Sequence, residues 1–314
     1  MNRKTNRKEK RTKLSKKINI PKGYFLALAL ALAGFLFFFV LGISRKGSTW
    51  DGKSRLSVAA PQNDGTVLLQ VFDPPSKSIA RLTIPKNVEI EAAHNLGTWK
   101  VGSIWKLGEN EHLGGSFLAQ SITKSFRFPV EAWSEAAGTG FSQNNVLEII
   151  RSLFGYYKTN LSVSDKIKIA LFALKIPGSA RYDIDLSKSS YLVAKRLMGG
   201  EEGYEVRESI PEGLLSIFSD SSIVSEGAKI YIVDASGRGL ENARKFGEIL
   251  EVLGGKVVAL KSVSPNDGDC SVWGTAMVTV KKIIQIFGCS RVDSRDNSQD
   301  LGNVVVNLGK AFAR

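Results

Sequence analysis

The chain has 314 residues, with 43 Lys and Arg against 30 Asp and Glu, for a formal charge of +13. Ten of those cations, against the single acid Glu9, lie in residues 1–22, and Arg45 and Lys46 add two more, which leaves about +2 for residues 47–314. A nucleic-acid surface needs its cations on the folded domain, so no nucleic-acid partner is expected.

Residues 23–43, GYFLALALALAGFLFFFVLGI, form an uncharged apolar run of 21 residues directly after the basic tail. About 20 residues in a helix cross a bilayer, and the cationic end stays in the cytoplasm. The run is longer than the apolar stretch of a cleaved signal peptide and exits through Gly42-Ile43-Ser44-Arg45 without a small-x-small site. The expectation is an uncleaved single-pass anchor with residues 1–22 cytoplasmic and everything beyond it extracytoplasmic. The tail's charge also suits anionic membrane lipid.

Residues 44–55 read as a polar linker. TVLLQVF (66–72) reads as a strand, Asp73-Pro74-Pro75-Ser76 as a turn, and SIARLTI (78–84) as the returning strand of a hairpin that Pro85 ends. VEIEA (88–92) is a further short strand. Leu118, Ile122 and Phe126 then recur at helical spacing, with Ser116 as an N-cap and Pro129 as a stop. Val146, Ile149, Ile150, Leu153, Phe154 and Tyr157 form a helical stripe. So do Ile167, Ala170, Leu171 and Leu174, opened by Ser162 or Ser164. Both stripes are expected to pack into a core. Tyr191–Met198 reads as a short helix closed by Gly199-Gly200.

Residues 220–228 (DSSIVSEGA) read as a linker. KIYIVDA (229–235) is a buried-type strand, 239–253 a helix with Leu240, Ala243, Phe246, Leu250 and Leu253 inward, and KVVAL (256–260) the next strand. A helix near 275–287, a polar loop over 290–302 and a last strand, NVVVNL (303–308), complete a small α/β domain. Cys270 and Cys289 form either one disulfide or two buried small hydrophobes.

Two constellations carry little chemistry. Gly237-Arg238-Gly239 sits between a strand and a helix, but Asn242 stands where a dinucleotide turn needs Gly or Ala, and the next strand ends Leu260-Lys261 rather than in an acid. It reads as a tight turn. His94 and His112 lie near Glu89, Glu91, Glu109 and Glu111 without metal-ligand spacing, and read as polar loop residues.

VFDPPSKSIARLTIPKNVEI (71–90) resembles the LytR–CpsA–Psr family, in which a strand ends in Asp-Pro and the next runs into Ser-Ile-Pro-Arg-Asp. KVGSIWKLG (100–108) resembles the family's Lys-Ile-Asn-Ala-Ala-Tyr-x-x-Gly segment, with Lys100 on the lysine. Gly114-Gly115, FPVEAW (128–133) and TNLSVSDKIKIALFAL (159–174) continue the likeness. Residues 228–312 resemble the LytR C-terminal domain, with Asp234-Ala235-Ser236-Gly237 at its turn. The family's members are membrane-anchored bacterial enzymes that move glycopolymers from a polyprenyl-pyrophosphate carrier onto peptidoglycan. The resemblance implies an α/β fold, α+β in the first ectodomain. Its layout is a basic tail (1–22), a span (23–43), a linker (44–55), a family-like domain (56–219), a second linker (220–228) and a C-terminal domain (229–314).

The family's reacting residues are replaced. Lys86-Asn87 stands for Arg-Asp, and Gly65 for a metal-binding Asp, with Asp64 one position away. Where the family has an arginine-rich run, this chain has Arg151 alone. Pyrophosphate chemistry needs Mg²⁺ on carboxylates and cations on developing charge. Asn87 supplies no charge and Lys86 lacks the bidentate fork of Arg. The expectation is a non-catalytic relative in cell-wall assembly that requires no cofactor. It would contact a polyprenyl-linked glycan, peptidoglycan, a wall polymer or a protein partner through Lys86, Asn87, Lys100 and Lys106. The alternatives are a divergent phosphotransferase using Asp64, Lys86, Asn87 and Arg151 with Mg²⁺ or Mn²⁺, and an exported adaptor.

Overall fold

The structure is a computed structural model that describes residues 50–197, 200–292 and 303–312. The basic tail and the apolar run lie outside the described residues, and no helix among the described residues is long and apolar enough to cross a membrane. Ser48–Arg314 forms one unit.

In chain order the first half holds β1 (Leu56–Pro61), β2 (Val67–Asp73), β3 (Ser78–Ile84), β4 (Val88–Glu91), β5 (Thr98–Lys100), α1 (Val101–Asn110), α2 (Gly114–Phe126) and β6 (Ala132–Trp133). A 3₁₀ segment (Ala136–Ser142) follows, then α3 (Val146–Phe154), α4 (Val163–Lys175), β7 (Arg181–Asp185), β8 (Leu192–Arg196) and β9 (Glu202–Val206). Strands order as β6-β1-β2-β3-β7 in one sheet and β5-β4-β9-β8 in another. The β2–β3 hairpin pairs Asp73 with Ser78 and Val67 with Ile84, as its turn chemistry requires.

The register places Ala59, Leu69, Leu82 and Ile184 across one face of the first sheet, and Val58, Gln70, Arg81 and Asp183 across the other. The first face packs on α1 and α2 through Ile104, Phe117, Leu118 and Ile122. The second meets the 3₁₀ segment, α3 and α4 through Phe141, Ile149, Ile169 and Ala173. A strand covered on both faces reads as a continuous apolar run, which is why β2 is buried along its whole length.

The second half holds α5 (Glu212–Phe218), α6 (Ser221–Glu226), β10 (Lys229–Ala235), α7 (Glu241–Val252), β11 (Lys256–Ser262), β12 (Cys270–Gly274), α8 (Met277–Phe287), β13 (Ser290–Arg291) and β14 (Val304–Gly309). Their sheet runs β11-β10-β14-β12-β13, with β10 parallel to both neighbours and β12 antiparallel to β14. Its own core joins Ile230, Ile232, Val304 and Val306 to Phe246, Leu250, Val280 and Ile283. Cys270 and Cys289 are bridged, with Cα atoms 4.6 Å apart, which decides between the two readings of the pair.

Several local expectations need correction. In its described part, residues 191–197, the expected helix is absent: Leu192–Arg196 is a strand paired with Glu202–Val206, and Gly200 lies between the two strands rather than at a helix stop, while Met198 and Gly199 lie outside the described residues. A short apolar run is ambiguous between the two states, and here the pairing partner decides. Ser116 lies inside α2 and donates to the Leu113 carbonyl, while Leu113 takes the N-cap position. Residues 220–228 are not a free linker, because Asp220 caps α6 through the Ser222 N–H. Of the linker expected before the first domain, Trp50 is buried. Its N–H donates to Asp165 and its carbonyl accepts from Lys168. Ser162, not Ser164, opens α4 in a reciprocal capping box with Asp165.

The two apolar stripes are only half core. Ile149 of α3 and Ala170 of α4 are buried, but Val146, Ile150, Phe154, Leu171 and Leu174 are exposed. Spacing identifies an apolar face without saying that anything covers it. At the N-cap of α7 Leu240 likewise stays exposed, while Ala243, Phe246 and Leu250 of the helix and Leu253 at its C-cap pack inward.

A buried ionic junction ties the two halves. Lys282 of α8 donates to Glu131 Oε1 at 2.8 Å, lies 3.3 Å from Asp220 Oδ2, and also reaches the Arg55 carbonyl. Glu131 accepts from the Ser57 N–H and Asp220 from the Arg55 N–H, while the Arg55 guanidinium pairs with Asp73. Burial works to strip the Lys282 proton, but Glu131 and Asp220 outweigh it and hold the ammonium above its ordinary value.

Candidate functional site

The residues singled out in the sequence fall mostly on one rim of the first sheet. This rim combines the β1–β2 turn, the end of β3 and the start of α1. Asp64 and Gly65 occupy the turn, where Gly65 takes a left-handed φ of +84°. The Lys86 side chain lies over that glycine, 3.5 Å from where a Cβ would project. Gly102 completes the contact. Its N–H donates to the Lys86 carbonyl at 3.0 Å, and a Cβ there would come within 2.9 Å of the Lys86 Cβ. Only glycine permits this approach.

The groups on this rim are engaged in holding the fold. Asp64 Oδ1 accepts from the Thr66 N–H at 2.9 Å and the Thr66 hydroxyl at 2.7 Å. Those bonds hold its carboxyl below the usual range, with Lys86 adding to the effect. The Asn87 amide donates to the Glu202 carbonyl at 2.9 Å, and the Asn87 carbonyl accepts from the Tyr204 N–H, which pins β9 beside β4. Lys100 forms an ion pair with Glu201. Lys106 is exposed on α1, beyond the rim proper. Arg151 is not drawn in: it sits exposed on α3 and pairs with Glu148 of its own helix.

The donor set does not fit a divalent cation. Such a site needs two or more charged oxygens converging on one point, and here Asp64 is turned onto Thr66 and the Glu201 carboxylate onto Lys100. Among the described residues no group of three or more His, Cys, Asp and Glu side chains is placed to hold a metal ion. His94 instead hydrogen-bonds Gln120 at 2.9 Å and stacks on Phe117. The Gly102 N–H in the first turn of α1 is taken by the Lys86 carbonyl. The rim can offer a cation, Lys86, and polar edges, but no carboxylate-held metal and no guanidinium.

Sequence reasoning missed the Lys282 junction. A signal existed, since Lys282 lies at helical spacing from Thr279, Ile283 and Ile286 on the buried side of its helix. It also missed a polar row on the α3–α4 side of the sheet, where Gln70 and Arg81 are register partners and the Gln70 side-chain oxygen and Arg81 Nε are buried without partners. That row depends on register, which no local pattern shows. A cavity of about 330 Å³ opens elsewhere, between α2 and the Arg238 turn. That turn is a strand–helix connection, with Asp234 accepting from the Ser236 and Ala243 N–H groups.

No protein-family profile matches the sequence, and no curated protein matches it. Among solved structures the chain is similar to Bacillus subtilis TagT, at 13% identity over 68% of this chain and 96% of that one, with a TM-score of 0.38. It is also similar to a LytR-CPS2A-psr family protein, YwtF (TagT), with bound octaprenyl pyrophosphate lipid, at 14% identity, 55% and 90% coverage, and a TM-score of 0.38. Lin1025 of Listeria innocua gives 11% identity, 53% and 97% coverage, and a TM-score of 0.38. Likenesses at these identities and scores assign neither an activity nor a ligand.

Proposed function

We propose that this chain is a single-pass, membrane-anchored extracytoplasmic protein of cell-envelope assembly. It binds a polyprenyl-linked glycan, a wall polymer or a protein partner, and it catalyses no phosphoryl transfer. One observation carries the non-catalytic part. On the rim where the resemblance puts metal-binding carboxylates and arginines, Asp64 is bonded to Thr66, Lys100 is paired with the Glu201 carboxylate, and Asn87 is bonded to the Glu202 carbonyl. Lys86 and Lys106 remain as point charges toward an anionic headgroup. The topology rests on the basic tail and apolar run of the sequence.

The test is direct. The full chain, reconstituted in vesicles, is given a polyprenyl pyrophosphate with Mg²⁺ or Mn²⁺. The expected result is binding without phosphate release, with Lys86→Ala weakening affinity roughly three- to tenfold, about 1 kcal/mol. Metal-dependent phosphate release that Asp64→Ala abolishes would establish the phosphotransferase instead. No binding of lipid or glycan at all would leave the adaptor reading.

A further inference from the structure

Half of the large apolar side chains exposed among the described residues come from a single stretch, residues 146–182. On α3, Val146 is 57% exposed, Leu147 64% and Phe154 70%, with Ile150 on the same line; on α4, Leu171 is 56% exposed, with Leu174 beside it. These helices already bury one face against the sheet through Ile149, Ile169 and Ala173. Each therefore carries a second apolar face that is left exposed among the described residues. The helices are neighbours, since Lys166 of α4 lies 3.8 Å over the ring of Tyr157, just past the end of α3. Exposed apolar faces on two neighbouring helices are the kind of surface that marks an interaction site.

We infer that the outer face of α3 and α4 docks on the surface of the bilayer in which the chain is anchored. The inference rests on the anchor reading above and adds to it the part of the domain that meets lipid. Three observations favour lipid. The chain enters the domain on α4: Trp50 is bonded to Asp165 and Lys168 and packs edge-on against Phe172, next in sequence to Leu171. Six residues, 44–49, lie between Ile43, the end of the apolar run, and Trp50, a contour of at most ~25 Å over seven Cα–Cα steps, so a bilayer left at Ile43 is within covalent reach of this face. Beside the apolar residues lie Arg151 and Lys158, paired with Glu148 and Glu109, and the exposed Lys175, cations that can turn to the headgroups of an anionic interface.

The experiment places a nitroxide at Phe154→Cys, with a comparison label at Val258→Cys on exposed β11; Cys270 and Cys289 are bridged and take no label. The full chain is reconstituted in vesicles of phosphatidylethanolamine and phosphatidylglycerol. Collisions with lipid-dissolved oxygen are compared with collisions with a water-soluble nickel complex. The Phe154 label is expected to favour oxygen several-fold over the Val258 label. In a Leu147→Asp, Ile150→Asp background, a label at Leu171→Cys is expected to lose that preference. Equal water access at Phe154 and Val258 overturns the docking face, as does protection that persists in detergent and follows protein concentration, which would mean a second copy. Removal of the chain from the vesicles by alkaline carbonate would sink the anchor reading itself, a result distinguishable from a chain that stays inserted with Phe154 in water.

Discussion

Gly115 shows how a single position constrains the rest of the domain. It opens α2 where Trp133 of β6 lies flat against the helix, and a Cβ would fall 2.1 Å from the ring. Trp133 cannot retreat easily, because it meets Trp105 of α1 edge-on at 5.9 Å. Gly115→Ala is therefore expected to lower stability by about 1–3 kcal/mol, read as a drop in the urea midpoint, despite alanine's better helix propensity. A gain in stability would show that the α2–β6 contact is looser than described. At this scale the sequence displayed the glycine pair but not its reason, since Trp133 stands 18 positions away. The same holds for Asp64 and Lys86, recognisable as candidates by resemblance, whose contacts only the folded rim reveals.

Among the elements, α4 has the best-defined start. Ser162 and Asp165 cap it reciprocally, and Asp165 also receives the Trp50 N–H at 3.0 Å. Ser162→Ala is expected to cost about 1 kcal/mol. Asp165→Ala should cost more, because it also orphans a buried donor at Trp50; thermal unfolding of the two variants gives the order. Equal losses would mean that the Trp50 bond contributes nothing. The helix was legible in the sequence because its cap and its 3.6-residue period are local. The hairpin of β8 and β9 was not, because the same short run satisfies either period until its partner is known. The exposed sides of α3 and α4 were also hidden: a helix that is apolar on two sides shows the same stripe whether one side or both are covered.

For the whole unit, the Lys282 junction decides how the two cores join. Lys282→Met leaves Glu131 and Asp220 buried side by side without their cation, and is expected to destabilise by about 3–5 kcal/mol, measured by chemical denaturation. The folded ammonium holds its proton more tightly than the unfolded one. Its contribution is thus complete below the unfolded value of 10.5 and fades as pH rises through the folded value. Stability from this source should stay flat across neutral pH and fall only in strong alkali; a loss near neutrality would contradict the arrangement. By itself the sequence determined the strand and helix positions that have strong periods, and the concentration of charge in the tail rather than the domain. These depend on neighbouring residues alone. The tertiary structure decided which helix faces stay bare, that Cys270 meets Cys289, and that Lys282 reaches Glu131 across 151 positions. Burial and pairing are set by distant parts of the chain, and no local pattern records them.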